Sequence, residues 1–353
     1  MKIALLTYSS KPRGGVVHTL ALAEALARAG QDVSVWSLGR GGDSAFYRAV
    51  DPAVTVRMVP FEHRENEGVG DRILRSIDVL EQAFTPELYD IVHAQDCISA
   101  NAVCRCIRTI HHLDEFTTPE LAACHERAIT TPYARICVSA AVAEDVQRGW
   151  GLEPTVIPNG VDARRFSAAA QSGRSHWRDK LGRYVLAVGG IEPRKGSLDL
   201  LDAFARLHAR DVSLVFAGGE TLFDYRDYRA EFDRRAAELG IEPVILGTVD
   251  DDELPHLVAQ AAVLPFFSTK EGFGLAAMEA LAASTPVVAR DLPVLREVFG
   301  DCVTYASTAT TMAIELERAL DAPRDPSPGL TLARSLTWDE AARTHLEFYS
   351  SLR

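Results

Sequence analysis

The sequence predicts an α/β protein built from two Rossmann-like domains. Short apolar segments alternate with helix-length segments along the whole chain, and this alternation runs twice, in two successive series. Such alternation is typical of parallel, doubly wound sheets. With 353 residues, the chain is too long for one ordinary core and suits two α/β domains.

The first series begins with an apolar strand at residues 3–8, followed by a polar loop that ends in Gly14 and Gly15. Apolar residues at helical spacing come next, and Gly30 stands where a left-handed residue usually closes a helix. Further strand-like segments occupy residues 33–38, 54–59, 91–94, 105–110 and 135–139. Ligands of such sheets bind beyond the carboxyl ends of the strands, so the loops after residues 8, 94 and 110 are candidate binding loops.

The second series follows a polar stretch at residues 168–179 and has strand-like segments at residues 184–188, 212–217, 244–246, 262–266 and 286–289. We place the N-terminal domain at residues 1–160 and the C-terminal domain at residues 161–336. The two halves share the same alternation of strands and helices but have no repeated sequence.

The sequence pattern of the last segment, residues 337–353, predicts a helix. Thr337 and Glu340 have the spacing of a capping box, and Trp338, Ala342, His345 and Tyr349 form one stripe at helical spacing. A Pro-rich connector at residues 323–329 precedes it. We expect this helix to return to the first domain.

The charge balance argues against a nucleic-acid partner. The chain has 49 acidic residues against 37 basic ones, a formal charge of -12 that repels phosphate backbones. Its six cysteines follow no metal-ligand spacing, which predicts reduced thiols in a cytoplasmic protein. The sequence has neither a signal-peptide pattern nor an apolar run of 18 residues, so no transmembrane segment is expected. Residues 61–82 are net acidic, which predicts weak membrane contact at most.

The segment after the apolar strand at residues 262–266 is the strongest candidate site. Glu271 would lie at the carboxyl end of the strand, and Glu279 about two turns into the helix that follows. Between them, the backbone N–H groups of the helix start form a seat for phosphate or sugar oxygens. The residues that build this seat are Gly272, Phe273, Gly274 and Leu275.

Spaced in this way, the two glutamates and the internal Gly-Phe-Gly resemble the signature of the family 4 glycosyltransferases. Three further motifs resemble that family's motifs in the same order, and the likeness spans essentially the whole chain: Gly14-Gly15, residues 157–162 (IPNGVD) and residues 188–196 (VGGIEPRKG). The resemblance implies a GT-B fold, in which two Rossmann-like domains face an interdomain cleft. It also implies a hexosyl transfer from a nucleoside-diphosphate sugar with retention of anomeric configuration.

The resemblance implies that Arg194 and Lys195 bind the donor diphosphate, for which a guanidinium fork and an ammonium charge are well suited. Gly14 and Gly15 would let the backbone approach the phosphate from the first domain. Many relatives carry arginine where this chain has Gly190, and Arg194 would compensate.

In the same family, the second glutamate of the signature accepts hydrogen bonds from the donor ribose, and the first faces the transferred sugar. Glu279 and Glu271 would take these roles, with Glu271 counted among the catalytic residues. Glu220, after another strand, is a weaker candidate for a nucleotide contact.

A histidine after the fifth strand reaches the reacting centre in the family, and His111 matches it best, with His112 as the alternative if the register slips by one. His93 matches a second family position, and His93 and His112 are the candidate contacts to the acceptor or the sugar. Many members have another histidine where this chain has Gln95.

We predict no metal and no cofactor beyond the co-substrate. Residues 250–252 are three aspartates that suggest a metal-binding D-x-D motif, but they more naturally cap a helix beginning near Glu253. The sequence offers no convincing covalent nucleophile, which favours a same-face return mechanism, with electrostatic stabilisation of the leaving diphosphate as the main contribution.

Two other classes fit less well. A nicotinamide dehydrogenase would need G-x-G-x-x-G after the first strand, which is absent, and a two-lobed sugar-binding protein would not need the cationic loop. A GT-B hydrolase or epimerase acting on a nucleotide sugar is the nearer alternative. The base, the sugar, the acceptor, which we expect to be small and soluble, and the oligomeric state stay open.

Overall fold

The structure is a computed structural model that describes residues 1–103, 105–114, 116, 118–209, 211–219 and 225–352. The chain divides into two compact units. Unit 1 comprises Met1–Gly160 with Trp338–Arg353, and unit 2 comprises Val161–Thr337. Over the described residues, we find no helix with the length and apolar character needed to cross a bilayer.

Unit 1 alternates strands and helices. Its strands are β1 (Lys2–Leu6), β2 (Asp32–Arg40), β3 (Val54–Phe61), β4 (Ile91–Ala94), β5 (Ile107–Ile110), β6 (Ala134–Cys137) and β7 (Thr155–Val156). Its helices before the end of the chain are α1 (Gly14–Arg28), α2 (Val69–Ala83), α3 (Cys97–Val103), α4 (Pro119–Thr130) and α5 (Ala140–Trp150). A short 3-10 helix covers Pro86–Leu88.

The strands of unit 1 form one parallel sheet in the order β3-β2-β1-β4-β5-β6-β7. The apolar run of β1 explains its central place, because Ile3, Leu5 and Leu6 have no exposed surface and both faces of a parallel sheet are covered by helices. Helix α1 ends as the sequence predicts, with Gly30 in the left-handed region at φ 79°. The strand order reverses at β1, so the loops after β1 and β4 flank the switch point where such sheets bind ligands.

Unit 2 repeats the alternation. Its helices are α6 (Ala163–Gln171), α7 (His176–Leu181), α8 (Ser197–Phe204), α9 (Arg226–Leu239), α10 (Leu254–Gln260), α11 (Leu275–Ala282), α12 (Pro293–Phe299), α13 (Ala309–Asp321) and α14 (Ser327–Ser335). Its strands are β8 (Arg183–Val188), β9 (Val212–Ala217), β10 (Val244–Gly247), β11 (Leu264–Phe266), β12 (Val287–Arg290) and β13 (Thr304–Ala306). Two 3-10 helices cover Pro193–Lys195 and Gly300–Cys302.

The sheet of unit 2 has two three-stranded parts, β10-β9-β8 and β11-β12-β13. A parallel bridge between Val185 and Val263 joins them, with Leu186 N donating to Val263 O at 3.0 Å. Strand β8 therefore stands between β9 and β11, where the order reverses. The loops after β8 and β11 flank the switch point of this unit.

The last helix, α15 (Trp338–Ser351), belongs to unit 1, where it lies along α1. Its expected stripe is buried: Trp338 is 8% exposed, Ala342 is 1% exposed, and His345 and Tyr349 have no exposed surface. The connector before it differs from the expectation, because α14 begins at Ser327. The proline-rich residues serve as the start of that helix, a position that tolerates proline.

The α/β class with parallel sheets is confirmed, but two strands were not predicted from the sequence. Strand β7 has only Thr155–Val156, and β13 has only Thr304–Ala306. Segments this short, with polar residues among them, carry too little periodicity to be recognised. The polar stretch at residues 168–179 also holds parts of α6 and α7, whose apolar contacts come from single residues such as Trp177.

Candidate active site

The loop between β8 and α8 presents the two predicted cations. Pro193–Lys195 form a 3-10 turn, and Gly196 follows with φ 66°, so that α8 starts directly behind Lys195. A side chain at Gly196 would collide with the carbonyl oxygen of Phe267. Thr269 N also donates to Arg194 O at 2.8 Å. These contacts fix the cationic loop against the segment that follows β11.

Arg194, Lys195 and Glu271 form one cluster in unit 2. Lys195 Nζ lies 2.6 Å from Glu271 Oε1, and Arg194 Nη1 lies 3.1 Å from the same oxygen. Arg194 Nη2 also contacts Glu192 Oε1 at 3.2 Å. The Glu271 side chain is 11% exposed, against 22% for Lys195. Glu192 lies within the predicted motif at residues 188–196, but the sequence analysis assigned it no role.

The cluster sets the ionisation of Glu271. Burial alone would raise the pKa of Glu271, but Lys195 and Arg194, with a hydrogen bond involving Ser268, outweigh it and bring that pKa to about 2. Glu271 is therefore a carboxylate at neutral pH. It can hold Lys195 in place and accept hydrogen bonds from hydroxyl groups.

Gly274 directly precedes α11 and lies in the turn that leads from Glu271 to that helix. Its φ of 98° lies in the region that favours glycine, and an added Cβ would meet ring atoms of Phe299 at 3.0 Å and of Phe266 at 3.2 Å. Phe273 is 4% exposed, so its side chain belongs to the core and only its backbone is suited to a ligand. Gly272 is buried and Leu275 is half-buried. Backbone groups therefore line this turn at the start of α11, and their use as a ligand seat stays a prediction.

Glu279 lies in the second turn of α11. Burial raises its pKa to about 8, against the opposing effect of Arg165, while Asp251 and Asp162 push it further up. A carboxyl group whose pKa is raised this far above its ordinary value lowers stability at neutral pH, and groups with such shifted pKa values concentrate at functional sites. The sequence did not single out Arg165, because it lies 114 positions before Glu279 and outside the motif.

The aspartates at residues 250–252 do not cap α10 with a side chain. The amide groups of Glu253 and Leu254 donate to the carbonyl oxygen of Asp250, each at 3.0 Å. Asp251 Oδ2 instead lies 2.7 Å from Arg165 Nη2. The capping prediction is therefore wrong in detail, because a backbone carbonyl takes the hydrogen bonds and an ion pair occupies one carboxylate.

Cavity volume does not distinguish the cluster of Arg194, Lys195 and Glu271 from the rest of unit 2. A cavity of about 800 Å³ in unit 2 is lined by residues such as Leu281, Val303 and Ile314. The space beside Lys195 measures only about 20 Å³ and is lined by Gly189, Gly190 and Phe216 among others. The chemistry of the described side chains, rather than volume, identifies the candidate site.

In unit 1, Gly14 and Gly15 are the first two residues of α1 rather than the end of a loop. A side chain at Gly14 would meet nothing within 4 Å, so the fold itself does not require glycine there. A Cβ at Gly15 would lie 3.6 Å from His111 Cδ2. The start of α1 and His111 are therefore neighbours in unit 1.

His111 lies in a buried group of aromatic and imidazole rings. Its Nε2 is 3.3 Å from Gln95 Oε1, and its ring stands edge-on to His18 at 4.8 Å between centroids. Burial holds the pKa of His111 well below its usual value. At neutral pH it is an uncharged group that can donate or accept one hydrogen bond. His112 instead lies 3.2 Å from Asp114 and is 30% exposed.

His18 was missed by the sequence prediction, as was its partner Asn159. His18 Nδ1 is 2.8 Å from Asn159 Oδ1, and both side chains are at least 96% buried. Burial lowers the pKa of His18 to about 3. The predicted motif at residues 157–162 thus contributes an asparagine that orients a histidine under His111.

His93 is wholly enclosed by unit 1. Its Nδ1 is 2.7 Å from Tyr349 Oη and its Nε2 is 2.7 Å from Thr109 Oγ1, and the side chain has no exposed surface. Both ring nitrogens are used within the fold, so this geometry does not support the predicted contact with acceptor or sugar. His93 links β4 and β5 to α15. Glu220, the weaker nucleotide candidate, lies outside the described residues.

Comparison with known proteins finds family models that match both halves of the chain. The family model for Glycosyltransferase Family 4 matches residues 12–165, and the model for Glycosyl transferases group 1 matches residues 174–322. The chain is 29% identical to the MMP α-(1→4)-mannosyltransferase of Mycolicibacterium hassiacum, over 92% of this chain and 90% of that protein.

Solved structures share the fold at lower identity. Sucrose-phosphate synthase from Thermosynechococcus elongatus matches with a TM-score of 0.82 and 20% identity, covering 100% of this chain and 99% of that chain. HepE from Anabaena in complex with UDP-glucose matches with a TM-score of 0.76 and 20% identity, covering 99% and 100%.

The two units define a glycosyltransferase with the GT-B fold of two Rossmann-like domains. The chain belongs to the group 1, family 4 glycosyltransferases.

Proposed function

We propose that the enzyme transfers a hexosyl group from a nucleoside-diphosphate sugar to a small acceptor with retention of configuration. The observation that carries the proposal is the cluster of Arg194, Lys195 and Glu271 at the switch point of unit 2, where parallel sheets bind ligands. HepE was solved with UDP-glucose, which supports a nucleotide-sugar donor for this fold.

Arg194 and Lys195 would stabilise the charge that develops on the diphosphate as the sugar leaves. Charge stabilisation of this kind, by groups already in place, is usually the largest contribution to catalysis. Glu271 holds the ammonium of Lys195 through a 2.6 Å contact and would accept hydrogen bonds from hydroxyls of the transferred sugar. Glu279 would accept hydrogen bonds from the ribose, which uses its carboxyl oxygens.

The acceptor would attack from the face that the diphosphate leaves, without a covalent enzyme intermediate. The proposal assigns the histidine role at the reacting centre to His111, whose neutral ring suits a hydrogen bond to the sugar better than a charge contact. Turnover would need neither a metal nor a further cofactor, because the two cations and the backbone at the start of α11 do the work of a divalent ion.

The test is a panel of UDP-, GDP- and ADP-hexoses, scored by release of the nucleoside diphosphate with and without candidate acceptors, and repeated in EDTA. We expect release from one base class, stimulated by acceptor and unchanged by EDTA. The product's anomeric configuration, read by NMR coupling constants, should match the donor's.

Two results would contradict parts of this account. Loss of activity in EDTA that is restored by magnesium or manganese would overturn the metal-independent mechanism. Full release without any acceptor, giving free sugar or an epimer, would favour a nucleotide-sugar hydrolase or epimerase.

A further inference from the structure

Unit 1 carries cationic side chains that the donor chemistry does not use. Arg40 is the last residue of β2, and Arg13 stands directly before α1. Both guanidinium groups lie against the ring of Tyr8, with centroid distances of 5.1 Å for Arg40 and 5.6 Å for Arg13. Arg13 Nη1 also donates to Tyr8 Oη. The group lies at the carboxyl ends of β1 and β2, beside the switch point of unit 1.

These arginines lack carboxylate partners. Within the described part of the chain, neither Arg13 nor Arg40 forms a salt bridge. Arg40 Nη2 donates to the hydroxyl of Ser76 at 2.8 Å, while the Nε atoms of both arginines are buried without a hydrogen-bond partner. A buried donor left unpaired, above all on a charged group, costs stability, so such donors normally meet an acceptor in the working protein.

The carboxylate that acts on Arg40 already accepts hydrogen bonds from other groups. Asp96 acts on the charge of Arg40, but its oxygens accept from Tyr8 N at 2.8 Å, from Ser99 N at 2.8 Å and from Ser99 Oγ at 2.9 Å. The same carboxylate also faces Arg108 of β5, which is 8% exposed and whose Nε and Nη1 have no partner. Asp114 also acts on the charge of Arg108, whereas Asp96 is the carboxylate that acts on both Arg40 and Arg108.

We propose that the acceptor carries a phosphate monoester and that Arg13 and Arg40 bind this phosphate beside the Tyr8 hydroxyl. This inference rests on the proposed function. Two guanidinium groups offer more donors than the two oxygens of a carboxylate can accept. The three terminal oxygens of a phosphate monoester match them, with charge-assisted bonds from planar forks. The acceptor phosphate would sit at the carboxyl edge of β1 and β2.

The experiment compares matched acceptors, each a free hexose or polyol and its phosphate monoester, at saturating donor. We expect the esters to lower the acceptor KM by about 30-fold or more, as for a buried charged contact. Arg40→Gln and Arg13→Gln should each remove most of that preference while binding of the nucleoside diphosphate stays unchanged. Arg57→Gln, an exposed arginine on β3, is the control and should behave as the unaltered enzyme.

A titration with inorganic phosphate gives a readout that needs no donor. Saturable binding to the unaltered protein that is lost in Arg40→Gln and Arg13→Gln, with circular dichroism unchanged, is expected. Parallel assays with vesicles of a phosphomonoester lipid show whether the phosphate belongs to a soluble molecule or to a lipid head group. We expect the soluble esters to be used, because residues 61–82 are net acidic and should be repelled by an anionic bilayer.

Equal use of the free and phosphorylated acceptors, with donor turnover intact, would overturn the inference and leave the proposed function standing. Failure of every nucleoside diphosphate to bind would instead reject the proposed function, while the phosphate titration would still report on the arginines.

Discussion

Lys195→Ala is expected to lower kcat/KM for sugar transfer by roughly 30-fold or more and to weaken binding of the nucleoside diphosphate. Loss of one partner of a close, desolvated charge pair typically costs about 2 to 5 kcal/mol. Lys195 is mostly buried and lies 2.6 Å from Glu271, so its charge acts at short range in a partly dry site. Because the diphosphate gains negative charge as the sugar leaves, transfer should suffer more than binding.

Lys180→Ala is the matched control. Lys180 is an exposed lysine of α7 in the same unit, where its ammonium lies over the ring of Trp177. It should change neither nucleotide binding, measured by calorimetry, nor turnover. If Lys195→Ala keeps its circular dichroism spectrum together with normal binding and turnover, the assigned donor site is wrong.

Glu279→Gln is expected to stabilise unit 2 while weakening nucleotide binding. The pKa of Glu279 is raised to about 8 in the folded protein, above its ordinary value of 4.5. The unfolded chain therefore ionises this group at a pH where the folded protein does not, and stability is lost as the pH rises from about 4.5 to about 8. At pH 7 the cost is about 3 kcal/mol, since one pKa unit corresponds to about 1.4 kcal/mol.

Glutamine resembles the protonated carboxyl group and does not ionise, so the variant avoids this cost. Its melting temperature should rise by roughly 5 to 10 °C at pH 7, and the gain should shrink toward pH 5. Nucleoside-diphosphate affinity should fall about 10-fold, because hydroxyls that donate to Glu279 favour its ionised form, which offers the ribose two acceptor oxygens where an amide offers one.

Glu231→Gln, at an exposed position of α9, is the control and should change neither property. A melting temperature of Glu279→Gln that equals the unaltered protein's at pH 7, together with unchanged nucleotide affinity, would refute both the burial argument and the ribose contact.

Much of the fold was predictable because most strands carry their own local signal. The segments at residues 91–94 and 212–217 were predicted with the bounds that the structure shows, since their apolar runs are bracketed by polar residues or glycine. Strands β7 and β13 were not predictable, because their pairing with longer neighbours, rather than their own sequence, holds them in the sheet.

The site shows the same division between local and distant information. Glu271, Gly274 and Glu279 stand in one motif and were found together. The contact between Lys195 and Glu271 joins residues 76 positions apart and depends on β8 and β11 being neighbours. The engagement of His93 by Tyr349, 256 positions away, equally depends on α15 folding onto unit 1. The spacing of residues along the sequence does not predict such contacts.

The most direct test of the donor assignment is calorimetric titration of the purified enzyme, without metal, with UDP, GDP, ADP, NAD and free hexoses. We predict saturable one-to-one binding of at least one nucleoside diphosphate, weakened in Lys195→Ala and unaltered in Lys180→Ala, and no saturable binding of NAD. Binding of NAD in preference to every nucleoside diphosphate, or of nucleoside diphosphates with equal affinity to both variants, would contradict the account.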